Sequence, residues 1–329
     1  MKKDFSRREF INAASLTAFG IMWGGKSLLM DSLSTHPNSK FGGVQIGVVS
    51  YSFRSMPHDV DQLIKFCIDA NISAVEMMED PAEVFAGKPK SPFKMGPPPK
   101  GGFTDEQKAE RSEYAKKVAE WRATVSMDKF KEIRKKFRAE GISIYAFKPN
   151  VFGVNNSDAE IEYGMKAAKA MGANCVTVEL PTDSAQSKRL GDLGAKHKVY
   201  IGYHAHLQAT DTAWDTALSQ SPYNSMNLDC GHYIAAGGKN TTASLLALIE
   251  AKHNRITSLH LKDRTTKENG AKNLVWGSGD TPIKEVLSLL KSKKYKFPAS
   301  VELEYEIPAD SNAVKEVAKC VEMTKKILV

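Results

Sequence analysis

Short apolar segments that end in an acid or a histidine recur along the second half of this chain. Their last residues are Glu179, His204, Asp229, His260 and Glu302. Successive side chains of a strand point to opposite faces, so each of these residues shares a face with the residue two positions earlier. Those earlier residues are all small or polar, and they are Thr177, Gly202, Asn227, Ser258 and Ser300. The pattern predicts five buried strands that each end in an acid or a histidine. The residues beneath these ends on the same face have small or polar side chains.

Strands and helices are predicted to alternate over the rest of the chain. Three more strands are expected over residues 44–50, 74–78 and 143–147. Apolar residues at helical spacing predict helices near 59–70, 127–139, 158–171, 184–197, 214–219, 245–251, 281–290 and 312–328. Eight strands and eight helices in alternation predict a parallel (β/α)8 TIM barrel of the α/β class. A doubly wound sheet is the alternative, but no glycine-rich phosphate loop follows the first strand.

Residues 80–124, which follow the second strand, interrupt this alternation. The segment contains Lys88-Pro89, Pro92, Pro97-Pro98-Pro99 and Gly101-Gly102, and then a charged stretch with helical character. An insertion after a barrel strand lies on the rim around the strand ends, where loops usually carry function. We therefore predict a proline-rich lid or substrate wall, with a plain surface linker as the alternative.

The first 30 residues have the pattern of a twin-arginine export signal. Ser6-Arg7-Arg8-Glu9-Phe10-Ile11 is followed by a modest apolar run from Ala13 to Trp23, too short and glycine-interrupted to span a membrane. A basic amphipathic helix is the alternative. Residues 31–42 are then expected to be a polar linker and residues 43–329 a single barrel domain, which predicts an exported, periplasmic protein.

Composition narrows the class of protein further. The chain has 329 residues, 42% of them hydrophobic, which suits one barrel with a large core. Part of the formal charge of +8 belongs to the predicted signal, and the rest forms no basic stripe with interleaved aromatic residues, so nucleic acid is not an expected partner. The four cysteines match no zinc or redox spacing, and we predict buried free thiols.

The five polar strand ends carry the chemistry of the chain. Active sites of TIM barrels lie at the C-terminal ends of the strands, and carboxylates with imidazoles are a ligand set for divalent metals. A buried ion network is the alternative for Asp229, His260 and Glu302, but without a cation its two carboxylates would repel each other. The candidate substrate contacts at the same mouth are Glu76, Lys148, His206, Arg264 and Trp276.

With those strand ends in place, residues 44–328 resemble the xylose isomerase-like TIM barrel superfamily of sugar isomerases and epimerases. The motifs that carry the resemblance are Leu228-Asp229-Cys230-Gly231-His232, Leu259-His260-Leu261-Lys262-Asp263, Trp276-Gly277-Ser278-Gly279 and Val301-Glu302-Leu303-Glu304. The resemblance implies one divalent ion, manganese, zinc or magnesium, held by Glu, Asp, His and Glu at strands five to eight. Asp229, His260 and Glu302 match the last three, whereas His204 stands where the family has glutamate. Either His204 replaces that ligand or Glu179 supplies it.

The resemblance also implies an activity. We expect a metal-dependent isomerase or epimerase that acts through an enediolate on a non-phosphorylated keto sugar. Glu302 is the first candidate for acid or base, with Glu179 or His204 opposite it, while His232 and Lys262 polarise substrate oxygens. A lyase or dehydratase acting on a keto sugar or keto glycoside is the alternative, and a non-catalytic sugar-binding protein is an alternative of another class. The expected partner is a small sugar, without stable membrane insertion, and self-association is left open.

Overall fold

A closed barrel of eight parallel strands forms the centre of the computed structural model, which describes residues 36–57, 59–93 and 102–329. The strands are β1 Val44–Val49, β2 Ala74–Met78, β3 Ser143–Lys148, β4 Cys175–Glu179, β5 Tyr200–His204, β6 Asn224–Asp229, β7 Ile256–Leu261 and β8 Ala299–Val301. Each strand pairs in parallel with the next, and β1 pairs with both β2 and β8, which closes the sheet. The predicted TIM barrel is therefore confirmed.

Helices surround the barrel in the predicted order. They are α1 Val60–Asp69, α2 Glu79–Phe85, α3 Asp105–Thr124, α4 Asp128–Ala139, α5 Asp158–Met171, α6 Ser184–His197, α7 Asp215–Gln220, α8 Cys230–Ala236, α9 Thr242–Lys252, α10 Ile283–Lys293 and α11 Ala313–Leu328. Several begin at side-chain caps that the sequence suggested. Asp59 accepts a hydrogen bond from the Gln62 amide at the start of α1, and Gly172 ends α5 in the left-handed conformation.

The core lies between the barrel and the helices. Outward-facing strand residues such as Val48, Val176 and Leu259 pack with the apolar faces of the helices in one buried cluster. Each such side chain contributes roughly 1.5–3 kcal/mol when it is fully buried. The predicted burial of the cysteines is also confirmed, since Cys67, Cys175, Cys230 and Cys320 are all buried and free.

The inserted segment is held together by a buried ion network, which Glu79 and Tyr163 connect to the barrel unit. Arg122 of α3 donates to both carboxylate oxygens of Glu83 on α2, at 2.9 and 3.0 Å. Lys88 lies 2.8 Å from the same carboxylate, and the Tyr163 hydroxyl donates to it at 3.0 Å. The charges of Arg122 and Lys88 balance those of Glu83 and Glu79, so the described parts of the insertion are docked through charge as well as apolar contact.

Two features differ from the sequence-based expectations. Residues 40 and 41 form a short strand that pairs antiparallel with β1, so the end of the predicted linker belongs to the barrel unit. The glycine at position 231 predicts a turn directly after β6, but α8 starts at Cys230 and the Asp229 side chain caps it. The predicted export signal and residues 31–35 lie outside the described residues. Within the part that is described, no helix is long and apolar enough to cross a membrane.

Candidate metal centre

Three potential ligand atoms from adjacent strands converge inside the C-terminal mouth of the barrel. His260 Nδ1 lies 3.1 Å from Glu302 Oε2 and 4.0 Å from Asp229 Oδ2. A ring nitrogen of His204 also lies within 4.8 Å of ligand atoms of Asp229 and His260. Ligands bound at about 2.0–2.2 Å to one ion lie roughly 3–4 Å apart, so the spacing of His204, Asp229 and His260 suits a single divalent cation, and Glu302 adjoins this group through His260.

The hydrogen bonding of these atoms supports the same interpretation. Asp229 Oδ2, His260 Nδ1 and Glu302 Oε2 are buried and have no hydrogen-bond partner within the described residues. Buried polar atoms almost always form hydrogen bonds, so three neighbouring atoms whose contacts are ion pairs alone are still able to bind a cation. Two carboxylates and two imidazoles are a set that zinc and manganese accept. The residues present therefore fit the metal that the strand ends predicted.

Each carboxylate in this group turns one oxygen towards the centre, and the other oxygen of Asp229 has a structural partner. Asp229 Oδ1 accepts a hydrogen bond from the backbone amide of His232 at 2.7 Å, which caps α8. Asp229 Oδ2 is left to face the cluster. Gly231, in the first turn of α8, allows this arrangement because a Cβ atom there would collide with the side chain and carbonyl of Lys262.

His204 is placed to offer one ring nitrogen only. Its Nδ1 lies 2.9 Å from Asn227 Oδ1, which leaves Nε2 for another partner. Burial, with the nearby charges of His260 and Lys148, lowers the pKa of His204 to about 4, so the ring is neutral. A neutral imidazole that offers Nε2 has the form of a metal ligand.

Lys262 supplies a built-in positive charge beside the centre. Its ammonium lies 3.0 Å from Asp229 Oδ2, 2.8 Å from Glu302 Oε2 and 2.9 Å from Glu304 Oε2, and the side chain is only 2% exposed. The first two contacts are ion pairs without hydrogen-bond geometry, since both oxygens lack a hydrogen-bond partner among the described residues. Glu304 is not among the predicted site residues, although it lies two positions after Glu302 and alternation places it on the same face.

The charges of the site depend on one another. Burial alone would raise the pKa of Glu302, but the Lys262 ammonium and His260 hold it well below its usual range. Burial would lower the pKa of His260, but the carboxylates of Glu76 and Glu302 raise it to about 10. The metal-free centre is therefore a compensated network of carboxylates around two cations.

A second group of nitrogens lies nearer the surface. Ring nitrogens of His204, His206 and His232 lie within 4.8 Å of one another. Both nitrogens of His232 face cations, with Lys262 Nζ at 3.1 Å and Arg264 Nη1 at 2.5 Å. Burial, together with Lys262, lowers the pKa of His232 to about 3. Because two cations already occupy the surroundings of this ring, the deeper group is the better metal site.

The segment after β7 links the centre to the Trp276-Gly277-Ser278-Gly279 loop. One oxygen of the Asp263 carboxylate accepts hydrogen bonds from the amides of residues 277, 278 and 279, at 2.7, 3.1 and 3.0 Å. Neighbouring residues of this segment therefore have different roles. His260 and Lys262 face the metal centre, whereas Asp263 anchors the loop. Trp276 is buried in the hydrophobic cluster, and Arg264 is buried against His232.

The other predicted contacts divide between the interior and the rim. Glu76 is entirely buried beneath His260 and leaves no surface for a substrate, which differs from its predicted role. Lys148 and Glu179 form a 2.8 Å ion pair on the rim, and the Glu179 side chain is 52% exposed. His206 is exposed too, and its Nε2 lies 3.8 Å from Glu179 Oε2.

A cavity of about 530 Å³ opens beside this ion pair. Lys148, Glu179 and Gln186 line part of it, and Phe152, Val154 and Leu180 give it an apolar wall. Pockets of this size, with a few polar groups on an apolar wall, are typical of small-molecule sites. The cavity therefore extends the mouth of the barrel towards the loops after β3 and β4.

Comparison with protein families identifies the class. A model of the xylose isomerase-like TIM barrel family matches residues 111–326, so the chain belongs to this family, as the strand-end motifs suggested. A comparison with curated proteins gives no significant match.

Several solved structures share the fold at low sequence identity. The chain is similar to a probable 3-DHS dehydratase, AsbF, from Bacillus anthracis, with 13% identity and a TM-score of 0.59, over 85% of this chain and 98% of that one. It is similar to the IolI protein with a bound zinc atom, with 17% identity and a TM-score of 0.56, over 87% and 99%. It is also similar to an L-ribulose 3-epimerase, with 11% identity and a TM-score of 0.55, over 86% and 95%. At these identities the likeness concerns the fold alone.

Proposed function

We propose that this protein is a divalent-metal-dependent isomerase or epimerase of a non-phosphorylated keto sugar. The observation that carries the proposal is a cluster of three buried atoms, Asp229 Oδ2, His260 Nδ1 and Glu302 Oε2, which form no hydrogen bond within the described residues and lie beside His204 at the barrel mouth. A divalent cation held there would polarise neighbouring hydroxyl and carbonyl oxygens of a sugar and acidify the carbon between them. Export by the twin-arginine route, which the N-terminus predicts, favours a sugar without phosphate.

The residues of the chain divide the remaining work. We assign the holding and polarising of substrate oxygens to the Lys262 ammonium and the His232 ring, which lie 3.1 Å apart beside the carboxylates. Glu302 is engaged by Lys262 and His260, so it acts as a ligand rather than as a free base. The exposed Glu179 carboxylate, with His206 beside it, is then the group that takes a proton from the sugar carbon and returns it.

Proton exchange with solvent tests this proposal directly. The protein is incubated in D2O with manganese or zinc and a panel of free ketopentoses and ketohexoses, and carbon-bound deuterium is followed by NMR. We expect exchange that requires metal and that is lost in Asp229→Asn, whereas Glu179→Gln keeps metal and loses exchange. A protein that binds neither metal ion contradicts the proposal. Sugar binding without exchange indicates the non-catalytic alternative instead.

A lyase or dehydratase is the second candidate, because the cavity beside Glu179 offers room beyond that of one monosaccharide. The same proton abstraction, followed by cleavage of the bond between the adjacent carbon and its oxygen substituent, leaves an unsaturated ketone and releases water or an alcohol. One of the structures similar in fold is named a probable dehydratase. Conjugated ketone absorbance and release of an alcohol from a keto glycoside would identify this reaction, while deuterated keto sugar alone would identify the first.

A further inference from the structure

The two histidines of the candidate centre turn different ring nitrogens away from it. His204 Nδ1 contacts Asn227 Oδ1 at 2.9 Å, so Nε2 is left for a metal. His260 Nε2 contacts Glu76 Oε2 at 2.8 Å, so Nδ1 faces Glu302 and Asp229. A histidine ligand must present a bare nitrogen, and the partner of its other nitrogen decides which one is bare.

The buried carboxylate of Glu76 determines which ring nitrogen is bare in both histidines. Glu76 Oε2 lies 2.8 Å from His260 Nε2 and accepts from the Tyr145 hydroxyl at 3.3 Å, and a carboxylate oxygen can only accept from such neighbours. The hydrogen shared with His260 must therefore reside on His260 Nε2. The same oxygen, Oε2, lies 3.3 Å from Asn227 Nδ2, so the amide must turn its NH2 group towards Glu76.

The orientation of the Asn227 amide then fixes His204. Asn227 Nδ2 donates to Ser258 Oγ at 2.7 Å as well as to Glu76, which uses both of its hydrogens. Its 3.1 Å separation from His260 Nε2 is a contact between two donors that share the Glu76 oxygen. Asn227 Oδ1 therefore faces His204, and because an amide oxygen only accepts, His204 Nδ1 must carry the hydrogen.

The backbone places both residues for this task. The pairing register shifts between Val75 and Glu76 in β2 and between Met226 and Asn227 in β6. Such irregularities re-aim the side chain at which they occur and often lie beside active sites. Glu76 and Asn227 both have no exposed surface, so neither can touch a substrate.

We propose that Glu76 and Asn227 form an orienting layer that makes His204 present Nε2 and His260 present Nδ1 to one metal ion. They are positioning residues, and the inference rests on the proposed metal centre. Partners of this kind typically change metal affinity by about 10–100-fold when they are removed. Asn227→Leu and Glu76→Gln are the informative variants. Tyr145→Phe is the matched control, since the Tyr145 hydroxyl contacts Glu76 but neither histidine.

The first measurement does not involve metal. Histidine side-chain nitrogens of the metal-free protein are labelled with 15N, and the His204 signals are assigned from those missing in His204→Gln. We expect wild-type His204 to be the neutral tautomer with hydrogen on Nδ1, and Asn227→Leu to lose that fixed state. Hydrogen on Nε2 in the folded wild-type protein overturns the inference, whether or not the protein binds metal.

The second measurement compares metal dissociation constants by chelator competition with zinc and with manganese. We expect binding that is about 10–100-fold weaker in Asn227→Leu and Glu76→Gln and within about twofold of wild type in Tyr145→Phe. Unchanged affinity in both variants overturns the inference while the proposed function stands. Absence of metal binding in wild type contradicts the proposed function. The tautomer measurement then tests by itself whether Glu76 and Asn227 orient His204. Glu76→Gln keeps the volume of the side chain, which provides a folded variant if Asn227→Leu is unstable.

Discussion

Replacing Lys262 with methionine should destabilise the metal-free protein and tighten its binding of divalent cations. The ammonium lies within 3.0 Å of oxygens of Asp229, Glu302 and Glu304, and these include two of the atoms that would bind a metal. Lysine and metal therefore neutralise the same negative charge. Lys262→Met keeps the apolar part of the side chain, removes the charge and leaves the carboxylates uncompensated.

The size of the effect follows from the geometry. At an effective dielectric constant of about 20, one contact of about 3 Å is worth roughly 5 kcal/mol of Coulomb energy, much of which offsets desolvation. Removing one partner of a buried ion pair costs about 3–5 kcal/mol in practice. A barrel of about 290 residues has an unfolding entropy of about 0.6 kcal/mol/K, so Tm should fall by roughly 5–8 °C.

The assay is thermal unfolding with EDTA and with excess zinc or manganese. We expect the full loss in EDTA and less than about half of it with metal, because a cation bound only by the folded state raises stability. Lys188→Met is the control, since Lys188 forms an exposed ion pair with Asp192 at 2.7 Å, and pairs of this kind contribute only about 0–1 kcal/mol. If Lys262→Met matches wild type in EDTA, or if metal stabilises both proteins equally, Lys262 is not the internal counter-charge.

Three further expectations concern the ligands, the insertion and a surface acid. Asp229→Asn and His260→Ala should each reduce bound metal below about a tenth of an equivalent by elemental analysis, while the circular dichroism of the barrel is unchanged. A variant that keeps the wild-type metal content would show that the substituted residue is not a ligand. Arg122→Gln, which unbalances a buried ion network, should cost about 3 kcal/mol in urea unfolding, against less than about 0.5 kcal/mol for the exposed Lys116→Gln. Hydrogen bonds from Lys196 and Lys166 lower the pKa of Glu162 from 4.5 to about 2, so its contribution to stability is present above pH 4.5 and is lost as the pH falls towards 2. The stability difference between wild type and Glu162→Gln should shrink over that range, and a constant difference would contradict the assignment.

The sequence was sufficient for the barrel and for the identity of the strand ends. A period of two fixes which residues of a buried strand point inward, and alternation with helices makes the strands parallel, so Asp229, His260 and Glu302 had to meet. The structure brings them together at the mouth. The capping of α8 by Asp229 also follows a familiar rule, but a glycine in the first turn obscured it.

The separate roles of the inward-facing residues could not be predicted from the sequence pattern. Alternation gives the face of a residue but not its depth in the barrel, which depends on register and on local shifts of pairing. Glu76 was expected at the surface of the mouth and lies beneath His260 instead. Lys262 and Glu304 meet because their side chains are long, and the reach of a long side chain is set by packing rather than by spacing along the chain.

His204 stands where the resemblance to the family implies glutamate, and the surrounding contacts predict the effect of introducing that glutamate. His204→Glu by itself should weaken metal binding at least about tenfold, although it adds a carboxylate ligand. The Asn227 amide has one donor side and one acceptor side, and it already donates to Glu76. Its oxygen would then face a second carboxylate, and turning the amide over would only move the repulsion to Glu76.

The double variant His204→Glu with Glu76→Gln removes this conflict. The side-chain nitrogen introduced by Glu76→Gln can donate to a turned Asn227 oxygen, which can also accept from His260 Nε2 at the 3.1 Å contact, while Asn227 Nδ2 donates to the new glutamate. Zinc affinity measured by chelator competition should therefore be low in His204→Glu and recover to near the wild-type value in the double variant, with Glu76→Gln alone weakened. If His204→Glu binds zinc as tightly as wild type, the Asn227 amide turns freely. The Glu76 carboxylate then does not determine which nitrogen of His204 carries the hydrogen.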